Sequence, residues 1–340
     1  MKHIAAMVVG GAVLASPALA GDTGFDWVTI GDAGNRGYDR PAADPFITGR
    51  GSVGYEYRIA REEVTSGQWL TFVNTFATQS DEYGELFDIP PISWGAERDF
   101  SYSGPGIKYK LRTDVANADR LPVLGMSWRE AAYFVNWLNN DMSNDASAIL
   151  DGAYDTSTFI RNPDGTYQDQ TTHHADAEYW IPTYDEWFKA AHYDPHKDGS
   201  GGWWLYNDGS DTEPIAGPPG EGEASARWLV DDSGRPAWET PLGSYPETTS
   251  PWGLLDITGG GAEWTEEWAP SCCGNSGRYF DGSPAGLNSF IDAADRVGGA
   301  NPDTHGFLTT LRVAGAVPSP GTAVPLGLSL TLACRRRRGR

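Results

Sequence analysis

Two carboxylates, Asp256 and Glu263, bracket three consecutive glycines, Gly259 to Gly261, in a run from Trp252 to Trp268 with indoles on both flanks. Glycine lets the backbone take positive φ or approach another group closely. A flexible linker would not carry this much aromatic mass, and a plain strand would not carry three glycines. The stretch reads as a tight loop pinned by buried tryptophans, its carbonyls turned to one side between two acids. Carbonyl and carboxylate oxygens are the donors a hard cation such as calcium takes. The same residues admit a plainer reading, in which Asp256 caps a turn and Glu263 pairs with an arginine.

The other reactive side chains offer less. His192 and His196 have i, i+4 spacing, but Pro195 lies between them and disfavours a shared helical face. With no carboxylate triad beside them, these two and His173-His174 read as surface histidines. Cys272 and Cys273 are adjacent and Cys334 sits near the end, so there is no disulfide framework. Adjacent cysteines can close only a strained, easily reduced ring. No cysteine occurs from Gly274 to Ala333, and no Ser/His/Asp or paired-carboxylate motif has convincing spacing.

Positioning falls to short elements, because 42 glycines and 23 prolines in 340 residues predict a loop-rich fold, and 14 tryptophans predict an aromatic core. Trp27–Gly31 is β-like, and Val53 to Ile59 alternates like a half-buried strand. Thr65 or Ser66 is placed to cap a helix over Gln68 to Asn74. Ser127 with Glu130, and Thr183 with Glu186, form two capping boxes. After the first, Trp128, Ala131, Ala132, Val135 and Leu138 share a face; after the second, Trp187, Ala190 and Ala191 do. Ala77 to Ala118 has no helical period and one strand-like piece, Ile107–Leu111. Gly199 to Glu223 is a Gly/Pro/Asp-rich excursion whose Trp203-Trp204 could stack on sugar rings, though a packing role is the plainer one.

The ends carry addresses. Met1 to Ala20 has a basic start, an apolar stretch and Ala18-Leu19-Ala20 as a cleavage site, which predicts a secretory signal peptide over 1–20. At the other end, Val317-Pro318-Ser319-Pro320 leads into an apolar run, Ala323 to Cys334, followed by Arg335 to Arg338. That run is short of the ~20 residues a spanning helix needs, so no stable membrane span is expected in the mature protein. The net charge is −21. Such a chain lacks the basic footprint that nucleic acid requires.

The central run resembles the Gly-Leu-Tyr-Asp-Met-x-Gly-Asn-Val-Trp-Glu-Trp signature of the formylglycine-generating enzyme (sulfatase-modifying factor) family. It matches at Gly253, Leu254, Asp256, Gly259, Glu263 and Trp264, and departs at Gly260, Gly261 and Ala262. Pro122-Val123 with Ser127-Trp128 and Ala131 resembles a second family motif. Pro182-Thr183 with Glu186-Trp187 and Ala190-Ala191 resembles a third, departing only at Trp180-Ile181. Arg278 to Ser283, then Gly306-Phe307 and Arg312, resemble its closing segments. The C-terminal tail resembles a PEP-CTERM sorting signal, departing at Ser319, where Glu is usual.

The resemblance implies an α+β, irregular, loop-rich fold of the modified C-type-lectin kind over residues 21–316, with a sorting tail over 317–340. It implies a secreted protein of the cell surface or matrix of a Gram-negative-type bacterium, processed by a sorting transpeptidase. The family's enzyme oxidises a sulfatase cysteine to formylglycine with copper(I) held by two thiolates, soft donors suited to that ion. The matching positions here are Gly286 and Ile291, so copper is not expected and the oxidase activity is expected to be lost. What remains is a binding or structural module for an extracellular polysaccharide or protein; the rival is an oxidoreductase that still modifies a sulfatase cysteine, or other chemistry in the same cleft. A structural calcium ion is implied at Asp256, the carbonyls of Gly259 and Gly261, and Glu263. The family's second calcium site falls near Ala226 to Asp232 and is not carried over, because Arg227 stands where Asn is expected. The histidine spacing of iron-binding relatives is also absent.

Overall fold

Three helices start where a side chain can close their first turn. In the computed structural model, which describes residues 23–41, 44–269, 277–287, 292–306 and 308–318, Thr65, Ser127 and Thr183 each accept a hydrogen bond from the backbone N–H three residues on. Gln68, Glu130 and Glu186 return the bond to the cap backbone. Each box satisfies two orphan donors of a helix N-terminus. The Gln68 box lies where only the cap itself is evident from sequence.

In chain order the elements are β1 (Trp27–Ile30), β2 (Tyr57–Ala60), α1 (Ser66–Ala77), α2 (Asp81–Leu86), β3 (Ala96–Arg98), β4 (Tyr109–Leu111) and α3 (Trp128–Asn139). Then come β5 (Tyr179–Trp180), α4 (Tyr184–His192), β6 (Tyr193–Asp194), β7 (Gly202–Trp203), β8 (Ala262–Ala269), β9 (Gly277–Asp281), β10 (Gly298–Ala300), β11 (Thr309–Thr310) and β12 (Ala314–Gly315). One sheet has the order β1-β2-β12-β5, a second β10-β9-β8-β11, and two hairpins, β3-β4 and β6-β7, stand apart. This is the expected α+β, loop-rich class. The predicted strand over Val53 to Ile59 is shorter than its alternation suggests, because Val53 bonds instead to the loop at Gly34 and Asn35. That leaves only Tyr57–Ala60 to pair with β1 and β12.

The core is aromatic, as the tryptophan count predicts. Trp69, Trp128, Trp187 and Trp264 are fully buried, and Phe72 meets Phe76, Phe87 and Phe134 edge to face. Aromatic pairs of this kind add about 0.5–1.5 kcal/mol beyond their area burial. Trp203 lies in this core between Tyr38 and Phe188. Trp204 sits under the Lys197 ammonium, 3.4 Å from the ring centre, and its indole donates to Asp194. Both serve packing.

Candidate functional site

The three glycines form a loop with no room for side chains. A Cβ at Gly260 would fall 2.4 Å from the Glu63 carboxylate, and its φ of +57° lies in the left-handed region. A Cβ at Gly259 would fall 2.3 Å from Ser225 Oγ. The loop is held by backbone bonds from Gly259 to the Ser283 carbonyl (2.7 Å) and from Ala285 to the Gly260 carbonyl (2.8 Å). Ser225 Oγ accepts from the Gly260 N–H (3.0 Å), and its own carbonyl accepts from Gly286 (3.1 Å).

Around this loop stands a buried charge cluster. Glu263 is fully buried and receives Arg312 in a two-pronged contact, Nε to Oε2 at 2.8 Å and Nη2 to Oε1 at 2.7 Å. The Trp187 indole also donates to Oε2 (2.6 Å). Three of the roughly four acceptor positions of this carboxylate are therefore occupied. The pairing of Glu263 with an arginine, the plainer of the two sequence readings, is thus present. Arg312 extends to the carbonyls of Ala60, Arg61 and Leu255. Burial disfavours the Arg312 cation, but Glu263, with Glu63 and Asp256, more than offsets this and holds its pKa above the ordinary value.

Asp256, with φ at +60°, accepts from the Gly243 N–H (2.7 Å); burial pushes its pKa up to about 6. Glu63 is the residue that sequence reading missed. Its Oε1 accepts from Gly261 N–H (2.9 Å), its Oε2 has no partner within the described residues, and burial followed by Glu263 repulsion pushes its pKa well above the carboxylate range. The only sequence signal was Glu63-Val64-Thr65, an acid two residues before a helix cap. Three buried carboxylates thus face one buried guanidinium.

The two positions matching the family's thiolates are unequal in what can be described. Ile291 lies outside the described residues, as do Cys272, Cys273, Cys334, the predicted signal peptide and the sorting tail from Ser319 onward. Gly286 is described: its φ is +76°, and a Cβ there would fall 2.9 Å from Trp238 Cε3. The indole of Trp238 closes the position. Neither glycine nor isoleucine supplies a soft donor, so the copper site of the family's enzyme does not fit these residues.

Trp238 also forms one wall of a cleft of about 760 Å3, within the range of ligand sites. It is also lined by Trp94 and Tyr109, packed edge to face, and by Ile92, Pro90 and Pro91. Arg112 lies across it, paired with Glu239 (2.8 Å) and Asp114 (2.9 Å). Leu308, with an unusual φ of +52°, lines it from the segment preceding β11.

The surface reading holds for His196 and needs correction at His192. His192 is a core residue packed against Trp187 and Phe188, and burial pushes its pKa down to about 3. It ends α4, whereas His196 lies beyond the helix on the surface, so they share no face. His173 is half-buried, stacked on Trp180 at 4.6 Å and bonded to Glu266 (3.0 Å). Arg227 pairs with Asp292 and Glu213.

Similarity to known proteins covers most of the chain. No curated protein matches it. Among solved structures, CarF is similar at 17% identity over 87% of this chain and 100% of that one (TM-score 0.46), and Treponema denticola variable protein 1 at 14% over 86% and 95% (TM-score 0.47). PvdO from Pseudomonas aeruginosa is similar at 14% identity over 86% and 92% (TM-score 0.39). The model of the sulfatase-modifying factor enzyme 1-like domain matches residues 34–307, a span that contains the glycine loop, the three capping boxes and all of the cleft lining except Leu308, and the chain belongs to that family.

Proposed function

We propose that the chain is an exported binding module of the sulfatase-modifying-factor family that does not make formylglycine. The observation that carries this reading is Gly286 beneath Trp238: the first thiolate position has neither sulfur nor space for a side chain. A site without soft ligands can hold its shape and touch partners, but it cannot bind copper(I) through thiolates. The module is addressed outward by residues 1–20 and sorted by the tail after residue 317, and its ligand is an extracellular polysaccharide or protein. Within the described residues no helix is long and apolar enough to cross a membrane.

A structural calcium ion belongs to the same proposal, at Asp256, the Gly259 and Gly261 carbonyls and Glu263. Its support is the charge imbalance of the cluster and the unpartnered Glu63 Oε2, since buried charge requires compensation. The test of function pairs two assays on one preparation: oxidation of a cysteine-containing sulfatase peptide in the presence of copper, and binding to peptide and glycan arrays. Binding without aldehyde formation is the expected result. Stoichiometric copper with conversion of the peptide to aldehyde would establish the rival oxidoreductase instead.

A further inference from the structure

The geometry points to a saccharide-binding site at the end of β8, where Glu267 and Trp268 surface beside Thr171 and Thr172; this deepens the binding-module reading above and rests on it. β8 is buried from Ala262 to Glu266 and comes to the surface at Glu267 and Trp268. The cause is an irregularity in its pairing. Trp264 stands opposite Phe280 and Trp268 opposite Arg278, so four steps along β8 match two along β9. A bulge of this kind re-aims side chains and is over-represented beside functional sites. Here it brings two successive side chains to the surface, whereas a regular strand sends neighbours to opposite faces.

Glu267, Trp268, Thr171 and Thr172 line a depression of about 320 Å3, at the lower end of the range for ligand sites. Each wall is held from behind. The Arg278 guanidinium lies over the rings of both Trp128 (3.9 Å) and Trp268 (5.5 Å). It also donates to the carbonyls of Glu266 and Gln170, each at 2.6 Å, which ties the strand to the Thr171-Thr172 segment. That segment is fixed again by His173, whose N–H and Nδ1 both meet the Glu266 carboxylate, and by the Gln170 amide donating to the Thr172 carbonyl (2.6 Å). Arg50, locked on Asp185 by two bonds (2.8 and 3.0 Å), donates to Glu267 Oε1 at 3.2 Å. A surface fixed in this way loses little freedom when a ligand binds.

What these walls leave free decides the ligand. Among the described residues the indole N–H of Trp268 has no acceptor, whereas those of Trp128, Trp180, Trp187 and Trp264 are all bonded. Glu267 Oε2 and the hydroxyls of Thr171 and Thr172 are likewise unengaged among the described residues, and both threonines are exposed. An indole surface, a donor, a carboxylate acceptor and two hydroxyls complement a pyranose ring, which offers an apolar C–H face and hydroxyls that both donate and accept. Charge narrows the class. Arg50 is balanced by Asp185 and Glu267, and Arg278 is fully buried behind the indole. No cation at the depression is left over for a uronate, sulfate or phosphate group, so the occupant is a neutral sugar unit of an extracellular polysaccharide.

An array of neutral gluco-, manno- and galacto-oligosaccharides beside uronate-containing ones, probed with the full mature protein, tests this, with calorimetric titration of each glycan bound. The expected binder is neutral. Trp268→Ala should weaken it at least about tenfold, as truncation of an aromatic anchor does, and Trp268→Phe should weaken it less. Should Trp268→Ala fail to fold, Thr172→Arg reads the same site, because it fills the depression from an exposed position and should cause a comparable loss at unchanged melting temperature. Absence of glycan binding, tighter binding of uronate-containing chains, or unchanged affinity in the folded variants would overturn the site. Peptide binding without glycan binding would overturn it while leaving the binding-module reading intact; aldehyde formation on a sulfatase peptide would overturn that reading itself.

Discussion

Arg312→Met should be the most damaging substitution in the described chain. The guanidinium is fully buried and makes two bonds to Glu263 and three to the carbonyls of Ala60, Arg61 and Leu255. Breaking a buried pair by removing one partner costs about 3–5 kcal/mol, because a charge is left uncompensated. Each carbonyl that loses its donor adds up to about 1–3 kcal/mol, less what water recovers. The loss should therefore exceed about 4 kcal/mol, a large share of the roughly 5–15 kcal/mol of a whole domain. Urea unfolding measures it as a fall in midpoint at unchanged slope. Glu263→Gln and the double variant complete a cycle, and Glu263→Gln alone reads the same pair should Arg312→Met fail to fold. Glu263→Gln keeps the shape and removes one charge, so the double variant should be more stable than the sum of the single losses predicts. A loss below about 1 kcal/mol in Arg312→Met, or strict additivity in the cycle, would refute the view that this pair organises the loop.

Two further outcomes follow from the geometry. Gly286→Cys should not restore a copper–thiolate absorption band, since its only partner position carries isoleucine; it should cost about 1–2 kcal/mol for left-handed backbone, more if Trp238 cannot move, as read by thermal unfolding. His305→Ala should be more damaging at acid pH than at alkaline pH. The hydrogen bond from His305 Nε2 to Glu130 (2.9 Å) raises the histidine pKa above its ordinary value; that stabilisation is fully present below the unfolded-state value and is lost as pH rises through the folded one. Equal effects on melting temperature at both extremes would contradict it.

The capping boxes were legible because a helix start is written locally: Ser127 and Glu130, or Thr183 and Glu186, state their bond through spacing alone. The aromatic core was legible from tryptophan count. Glu263 was legible as a site residue, but its partner was not, since Arg312 lies 49 positions away and only the fold brings them together. Glu63 was missed for the same reason, being 198 positions from the Gly261 amide it receives. His192 was misplaced on the surface because a lone histidine near a proline and glycine loop looks solvated, while the helix carrying it turns that face inward. The pairing of β3 with β4 depends on strand register, which no composition signal in the stretch from Ala77 to Ala118 specifies.

The glycine loop and the cleft belong to one construction, and this yields a test of the calcium proposal. Segment 283–286 hangs from the loop by the Thr258/Ser283 bridge, by Ser283 accepting from Gly259, and by Ala285 donating to Gly260. Gly286, beneath Trp238, is the end of that chain of bonds. An ion bound at Asp256 and Glu263 stabilises the folded state by about 2.7 kcal/mol at a hundredfold excess over its dissociation constant. Chelation should therefore lower the melting temperature and, more specifically, speed hydrogen exchange at the amides of Gly259, Ala285 and Gly286, while those of α3 change less. The effect should weaken as pH falls below about 6, where protons compete with the ion for the Asp256 carboxylate. In Asp256→Asn the chelator should have a weaker effect for the same reason. Exchange that is unchanged by chelator, or raised uniformly over the chain, would mean that Arg312 and a protonated Glu63 balance the cluster without a metal.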